Sequence, residues 1–330
     1  MSQILFFQKI KESLPPNRSF VDELNEVLSI TNDGCYRRIR GETAITFSET
    51  EKLCKAFGVS FDMFVQTEQN CVMFDYTSTQ NTENFLQNYF SNLHKQLSAI
   101  KQIEKKKITY ACEGIPIFYY FNFEELTRFK LFFWKRSVLE LPQYKSKTYS
   151  PELVSDEMVK QCKDLTTLYN SIPVTEIWTD ETVLGNIKQI EFAWESGVFA
   201  KKDDALLICS QLNQTLSMIK KMAELSAKFS DEKKWAENEN TFELFKSDVN
   251  ISVTCILATT ETGKMCFYSP HTFNTMGTSN ETFCSDTEQW LKSIISKSEI
   301  ISGSGEKQRA RFFNSFSEKL NLLEQKIKAS

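Results

Sequence analysis

Arg37, Arg38 and Arg40 fall within four positions of one another, directly after Asn32, Asp33 and Tyr36. A guanidinium is a planar fork of N–H donors. It matches guanine O6 and N7, or two phosphate oxygens. Asn32 suits adenine, or a helix cap. Asp33 suits a cytosine amino group, or an ion pair with Arg37 four residues on. Gly34 permits close backbone approach, and free N–H groups at a helix start favour phosphate. This is the chemistry of reading a groove, with Arg37 and Arg40 at base edges, Asn32, Asp33 and Tyr36 bordering them, and Arg38 on a phosphate.

The elements that position these side chains are short helices. Ser2 to Ser13 carries Ile4, Phe7 and Ile10 at helical spacing and stops before Pro15 and Pro16. Ser19 with Asp22 reads as a capping box for a helix striped by Val21, Leu24, Val27 and Leu28. After a turn at Ser29 to Thr31, a third helix runs from about Asn32 to Arg40 and ends at Gly41. Cys35 and Ile39 form its apolar pair, which turns Asp33, Arg37 and Arg40 outward. Thr46 with Glu49 starts a fourth helix that ends at Gly58, and Phe61 to Phe64 begins a fifth. Two short helices joined by a tight turn, the second bearing outward arginines, make the helix-turn-helix pattern.

The run TNDGCYRRIRGE, followed by FSETEKLCKAFGVSFDMF, resembles the phage-repressor (XRE-type) helix-turn-helix family over about a fifth of the chain. That resemblance implies a five-helix, sequence-specific DNA-binding domain whose third helix enters the major groove. Where that family commonly opens its second helix with Gln, this chain has Arg18, Ser19 and Asp22.

Composition sets limits. With 330 residues, 41% of them hydrophobic, the chain has the apolar material for a real core and for more than one domain. Net charge is -4, and the first 70 residues hold eight Lys or Arg against ten Asp or Glu. Any DNA contact must come from a local basic face. Nine cysteines, none at CxxC spacing, read as reduced buried thiols of a cytoplasmic protein. With only His94 and His271, no metal site or histidine triad is expected. No GxSxG, HExxH, P-loop or dinucleotide fingerprint occurs, so the expectation is no enzyme, no catalytic residue and no cofactor. No signal peptide or membrane span is expected.

The rest of the chain reads as a linker over 70–81 and a larger helical domain over 82–330. A helix from Thr82 to about Lys106 carries Leu86, Phe90, Leu93, Leu97 and Ile100, which is either a dimer seam or a core face. Phe123 to Leu139 is an aromatic-rich helix inside the most basic stretch of the chain, Lys101 to Lys147. Helices follow at 150–171, 179–196 and 203–229, with an exposed polar loop over 228–240. A β-hairpin lies near 251–268, with Thr262-Gly263 in its turn. Helices at 286–296 and toward the C-terminus complete the chain. The turn Ser302-Gly303-Ser304-Gly305 has an anion-loop look, but flexible entry to a helix is the simpler reading.

The expected fold is therefore mostly α, a five-helix helix-turn-helix domain (1–69) plus a larger α-rich domain with a small β-hairpin element. The expected function is a DNA-binding transcriptional regulator that binds double-stranded DNA as a homodimer. Its large domain would sense a small-molecule or peptide effector near Trp134, Trp178 or Trp194. The alternative is a protein-interaction or ligand-sensing module whose helix-turn-helix does not bind DNA.

Overall fold

A computed structural model describes residues 2–14, 18–59, 61, 72–76, 82, 84–231 and 241–330. The chain divides into two compact units, Met1–Met73 and Phe74–Ser330. It is α-rich, and no helix among the described residues is long and apolar enough to cross a membrane.

The first unit holds α1 (Ser2–Ser13), α2 (Phe20–Leu28), α3 (Asn32–Ile39) and α4 (Phe47–Phe57). The expected fifth helix lies outside the described residues except for Phe61. Phe6, Phe7, Ile10, Leu24, Leu28, Cys35, Leu53 and Val59 form the core. Phe6 takes the inward place expected for Ile4, which is exposed. Thr46 and Glu49 form the capping box that starts α4, and Gly58 ends it at φ 64°. Ser19 stands at the N-cap of α2, but its side chain makes no capping bond. The helix start is marked there by position alone.

The second unit is built on strands that the sequence mostly hides. These are β1 (Asp75–Tyr76), β2 (Lys106–Cys112), β3 (Val174–Trp178), β4 (Phe242–Lys246), β5 (Thr254–Thr260), β6 (Gly263–His271), β7 (Asn274–Thr278) and β8 (Glu299–Ile300). They form one eight-stranded sheet in the order β1-β7-β6-β5-β2-β3-β4-β8. The expected hairpin is β5–β6, at the middle of this larger sheet. The β2–β3 and β3–β4 pairs are parallel, and every other pair is antiparallel. Part of the expected linker, Asp75–Tyr76, is an edge strand on β7.

The helices are α5 (Phe85–Gln102), α6 (Glu124–Phe133), α7 (Asp156–Asn170), α8 (Asp180–Glu195), α9 (Lys202–Leu225), α10 (Glu281–Ser296) and α11 (Glu306–Ala329). Alternation along the strands splits the sheet into two faces. Ala111, Ile177, Cys255, Leu257 and Cys266 turn to one side and pack with Cys284, Leu291 and Ile294 of α10. Ile108, Cys112, Val174, Trp178, Phe242 and Leu244 turn to the other, into the main core beneath the remaining helices.

Leu86, Phe90 and Leu97 of α5 are buried in that main core, with Leu93 and Ile100 packed against it. The stripe on α5 is thus a core face of its own chain, not a free dimer seam. The final turns are equally internal. Arg309 of α11 donates from Nη1 to the Ile301 and Gly303 carbonyls, both at 3.0 Å. A Cβ at Gly305 would stand 2.3 Å from the Ile300 carbonyl oxygen. The Ser302–Gly305 turn is a tight backbone crossing, and its glycines serve that crossing.

Candidate functional site

The outward face of α3 follows from its inward one. Thr31 caps the helix by accepting from the Gly34 N–H at 3.3 Å. Cys35 is fully buried, so Arg37 and Arg40 swing to the far side, and Asn32, Asp33, Tyr36, Arg37 and Arg40 are all exposed. Arg38, about 60° from Cys35 around a helix of 3.6 residues per turn, borders the core.

The arginines meet carboxylates of their own chain. Arg37 Nε pairs with Asp33 Oδ2 at 3.0 Å, across one turn. Arg40 donates from Nε and Nη2 to the two Glu42 oxygens at 2.6 and 3.0 Å. Both pairs are more than half exposed, so solvent screens them and each yields easily to a competing anion. Arg38 differs. Its Nη2 lies 2.7 Å from Glu49 Oε1, both side chains are largely covered, and its Nη1 donates to the Gly34 carbonyl. Glu49 also accepts from the Thr46 N–H. Arg38 therefore ties α3 to the cap of α4, a contact that a phosphate would have to displace. Asn32 Oδ1 accepts from Asn25 Nδ2 at 3.0 Å, linking α2 to α3.

A second feature lies wholly within the larger unit. Strand pairing sets Leu244, Glu176, Tyr110, Ile256, Phe267, Gly277 and Asp75 in one row across the sheet. Toward β4 this row is buried. Toward β1 it forms the floor of a cavity of about 1200 Å3, bounded by α5, α6 and α8. Gly277 leaves room for the Phe267 ring, since a Cβ there would stand 3.1 Å from it.

Aromatic rings close one end. Phe273, in the β6–β7 turn, has φ 65°, costly for a bulky residue. Its ring packs edge-on against Trp134 at 4.9 Å and Tyr89 at 5.1 Å between centroids. Trp134 opens a π-helical turn, Trp134–Val138, that continues α6. Such turns redirect side chains within a helix. Of the three tryptophans expected near a pocket, only Trp134 lines this one. Trp178 is buried and donates to Glu176 Oε2 at 2.7 Å, and Trp194 donates to Ser330 Oγ.

Lys130 of α6, one turn before Trp134, is the buried cation of the cavity wall. Its Nζ donates to Asn186 Oδ1 and Gln189 Oε1 of α8, each at 2.5 Å, and lies 4.4 Å from the Tyr120 ring centroid. Among the described residues no carboxylate is within ion-pair distance of it. Burial lowers its pKa to about 7. Behind the wall, Glu176 Oε1 accepts from the Tyr119 and Tyr169 hydroxyls at 2.6 and 2.5 Å. Burial raises this carboxyl, against the pull of those hydroxyls and of Lys228. Lys228 is itself fully buried over the Tyr169 ring, which corrects the expected exposed loop at its first residue; 232–240 lie outside the described residues. Burial lowers Lys228 to about 7 as well, while Glu176 pulls it upward.

No protein-family model, curated protein or solved structure matches this chain. Function here rests on the chemistry of the residues themselves. The basic stretch from Lys101 to Lys147 supplies no open anion patch around α6. Lys130 and Lys135 are buried, and Arg128 is held by Glu124, Asp156 and the Val154 carbonyl. Sequence reasoning missed Lys130, Glu176 and Lys228. The available signal was a charged residue inside an apolar run, as in LTRFKLFFW and VTEIW.

Proposed function

We propose that this chain is a ligand-sensing regulator. The larger unit takes a small molecule in its cavity, and the helical unit contacts double-stranded DNA through Asn32, Asp33, Tyr36, Arg37 and Arg40. The observation that carries the reading is the cavity: aromatic walls, a sheet floor and a buried lysine are the features of a small-molecule receptor. The DNA half is supported by the five outward side chains on α3 and its C-cap and by the resemblance of the N-terminal domain, 1–69, to XRE-type domains.

A second reading of the helical unit is favoured by a specific observation. Asp33 and Glu42 neutralise the two outward arginines, while Tyr36 and Phe47 are left exposed. A neutral face with exposed rings suits a protein partner. Selection of bound duplexes from a random pool separates the two. DNA binding predicts an enriched sequence, affinity that falls steeply with salt, and loss of roughly 1–3 kcal/mol per base-contacting arginine replaced by Ala. No enrichment, with unchanged behaviour of Arg37→Ala/Arg40→Ala, favours the protein partner. Two-fold operators would require pairing of chains through a surface other than the buried α5 stripe.

The receptor half is tested by thermal melting across a small-molecule panel, with Gly185→Trp as the control. Gly185 lines the cavity and has open space where a side chain would stand. A compound that raises the Tm of the parent and not of this variant supports the reading. A panel with no effect on the parent refutes it.

A further inference from the structure

Of the three lysines buried among the described residues of the larger unit, Lys130, Lys135 and Lys228, the first and last differ in what offsets their charge. Lys228 is drawn by the Glu176 carboxylate. Among the described residues Lys130 has only neutral partners, two amide oxygens and the face of the Tyr120 ring. Amide oxygens orient an ammonium without neutralising it. They also occupy two of its three N–H donors, which leaves one for another acceptor. Lys130 and both of its amide partners line the cavity.

We propose that the cavity binds an amphipathic organic acid, its carboxylate paired with the Lys130 ammonium and its apolar body set against the rings of Trp134, Phe273 and Phe267. This rests on the receptor reading above and names the chemical class. One compact cation with one free donor matches a monoanion. A phosphate dianion calls for a guanidinium fork or several cationic donors, and among the described residues that line the cavity there is no arginine. The nearby ionisable groups do not compete. Tyr120 is buried and Tyr89 and Tyr110 are half-buried; desolvation pushes all three phenols upward, and they stay neutral. Asp75, Lys95, Glu113 and Glu181 are exposed at the cavity edge. The apolar body finds edge-to-face partners in the Trp134–Phe273 pair.

The test is calorimetric titration of the full chain at pH 6.5 with matched pairs: 1-naphthylacetate and 1-naphthylacetamide, decanoate and decanamide. The expected result is that in at least one pair the acid binds tenfold or more tighter than its amide. Lys130→Met is expected to erase that preference while amide affinity holds. Amides binding as well as acids would overturn the acid assignment and leave the receptor reading standing. A preference for acids that survives Lys130→Met would overturn the role of Lys130. Failure of all four probes to bind would remove the receptor reading together with this inference. The acid-to-amide comparison on the parent protein needs no variant, so a misfolded Lys130→Met does not suspend the test.

Discussion

Replacing Lys130 with Met should stabilise the protein, and the gain should depend on pH in a defined direction. Burial lowers the amine from its ordinary 10.5 to about 7. At 1.36 kcal/mol per pH unit that is a penalty of about 5 kcal/mol on the charged form, an upper bound where solvent reaches the cavity. Below pH 7 the amine is protonated in both folded and unfolded chains, and the whole penalty is present. Between 7 and 10.5 the unfolded chain holds a proton that the folded one has lost, so parental stability rises with pH across that window. Above 10.5 both forms are neutral and the slope ends. Met fills similar volume and has no such dependence. The substitution leaves little unsatisfied, because Asn186 Oδ1 still accepts from the Tyr120 hydroxyl at 2.6 Å and Gln189 is only half-buried. Urea denaturation at pH 6, 7.5 and 9 should show Lys130→Met more stable by roughly 2–5 kcal/mol at pH 6, with the difference shrinking as pH rises. Lys228 titrates in the same window but is present in both proteins and cancels. A variant less stable at pH 6, or parallel pH profiles, would refute the claim that Lys130 carries an uncompensated buried charge.

Other consequences follow from the same geometry. Gly305→Ala should cost about 3 kcal/mol or more in urea denaturation, because the backbone at Ile300 occupies the space of the new methyl. Gly185→Ala, in open space within α8, should raise stability by about 0.5–1 kcal/mol on helix propensity alone, read as a higher Tm. Arg38→Met should lower the unfolding free energy of the helical unit by about 1–3 kcal/mol by removing the cation that faces the largely covered Glu49, whereas Arg37→Ala should stay within about 0.5 kcal/mol. Phe90→Ala should destabilise by about 3–5 kcal/mol and leave the sedimentation coefficient of the folded protein unchanged, since Phe90 is core and not a dimer contact.

The helices were legible because each carries its own apolar stripe and stop signal. The Thr46–Glu49 box, the Gly58 cap and the spacing of Phe313, Phe316, Leu320, Leu323 and Ile327 on α11 are local facts that a sequence states directly. The strands were less legible because their partners are distant. β3 is five buried residues, yet VTEIW carries a carboxylate at its centre, so it reads as polar. Glu176 is tolerable there because Tyr119 and Tyr169, from other elements, and the neighbouring Trp178 donate to it and Lys228 offsets its charge. β7, NTMGT, has almost no apolar content, and it is a strand because β6 and β1 pair with both of its edges. The α3 face was legible as a face. The Asp33–Arg37 pair was one of two readings the i, i+4 spacing left open, whereas the pairing of Glu42 with Arg40 and of Glu49 with Arg38 depends on how the chain turns after α3.

The two units manage charge in opposite ways, and this decides where function can reside. On α3 every cation has its anion in the same chain, so outside ligands must displace an existing pair. That exchange is cheap for Arg37 and Arg40, which are exposed, and expensive for Arg38, which is largely covered. In the larger unit the row across the sheet begins under helices at Leu244 and Glu176 and ends in the open at Gly277 and Asp75. Glu176 is offset internally by two tyrosines, a tryptophan and Lys228. Lys130, in the cavity wall, is offset by no carboxylate of the described residues. A fold that bears a desolvated ammonium beside aromatic walls gives up stability at that point. The loss is recovered when an anion enters, because that anion gains a partner already stripped of water. Coupling of this kind lets ligand binding change the stability of the larger unit, the physical requirement for a sensor.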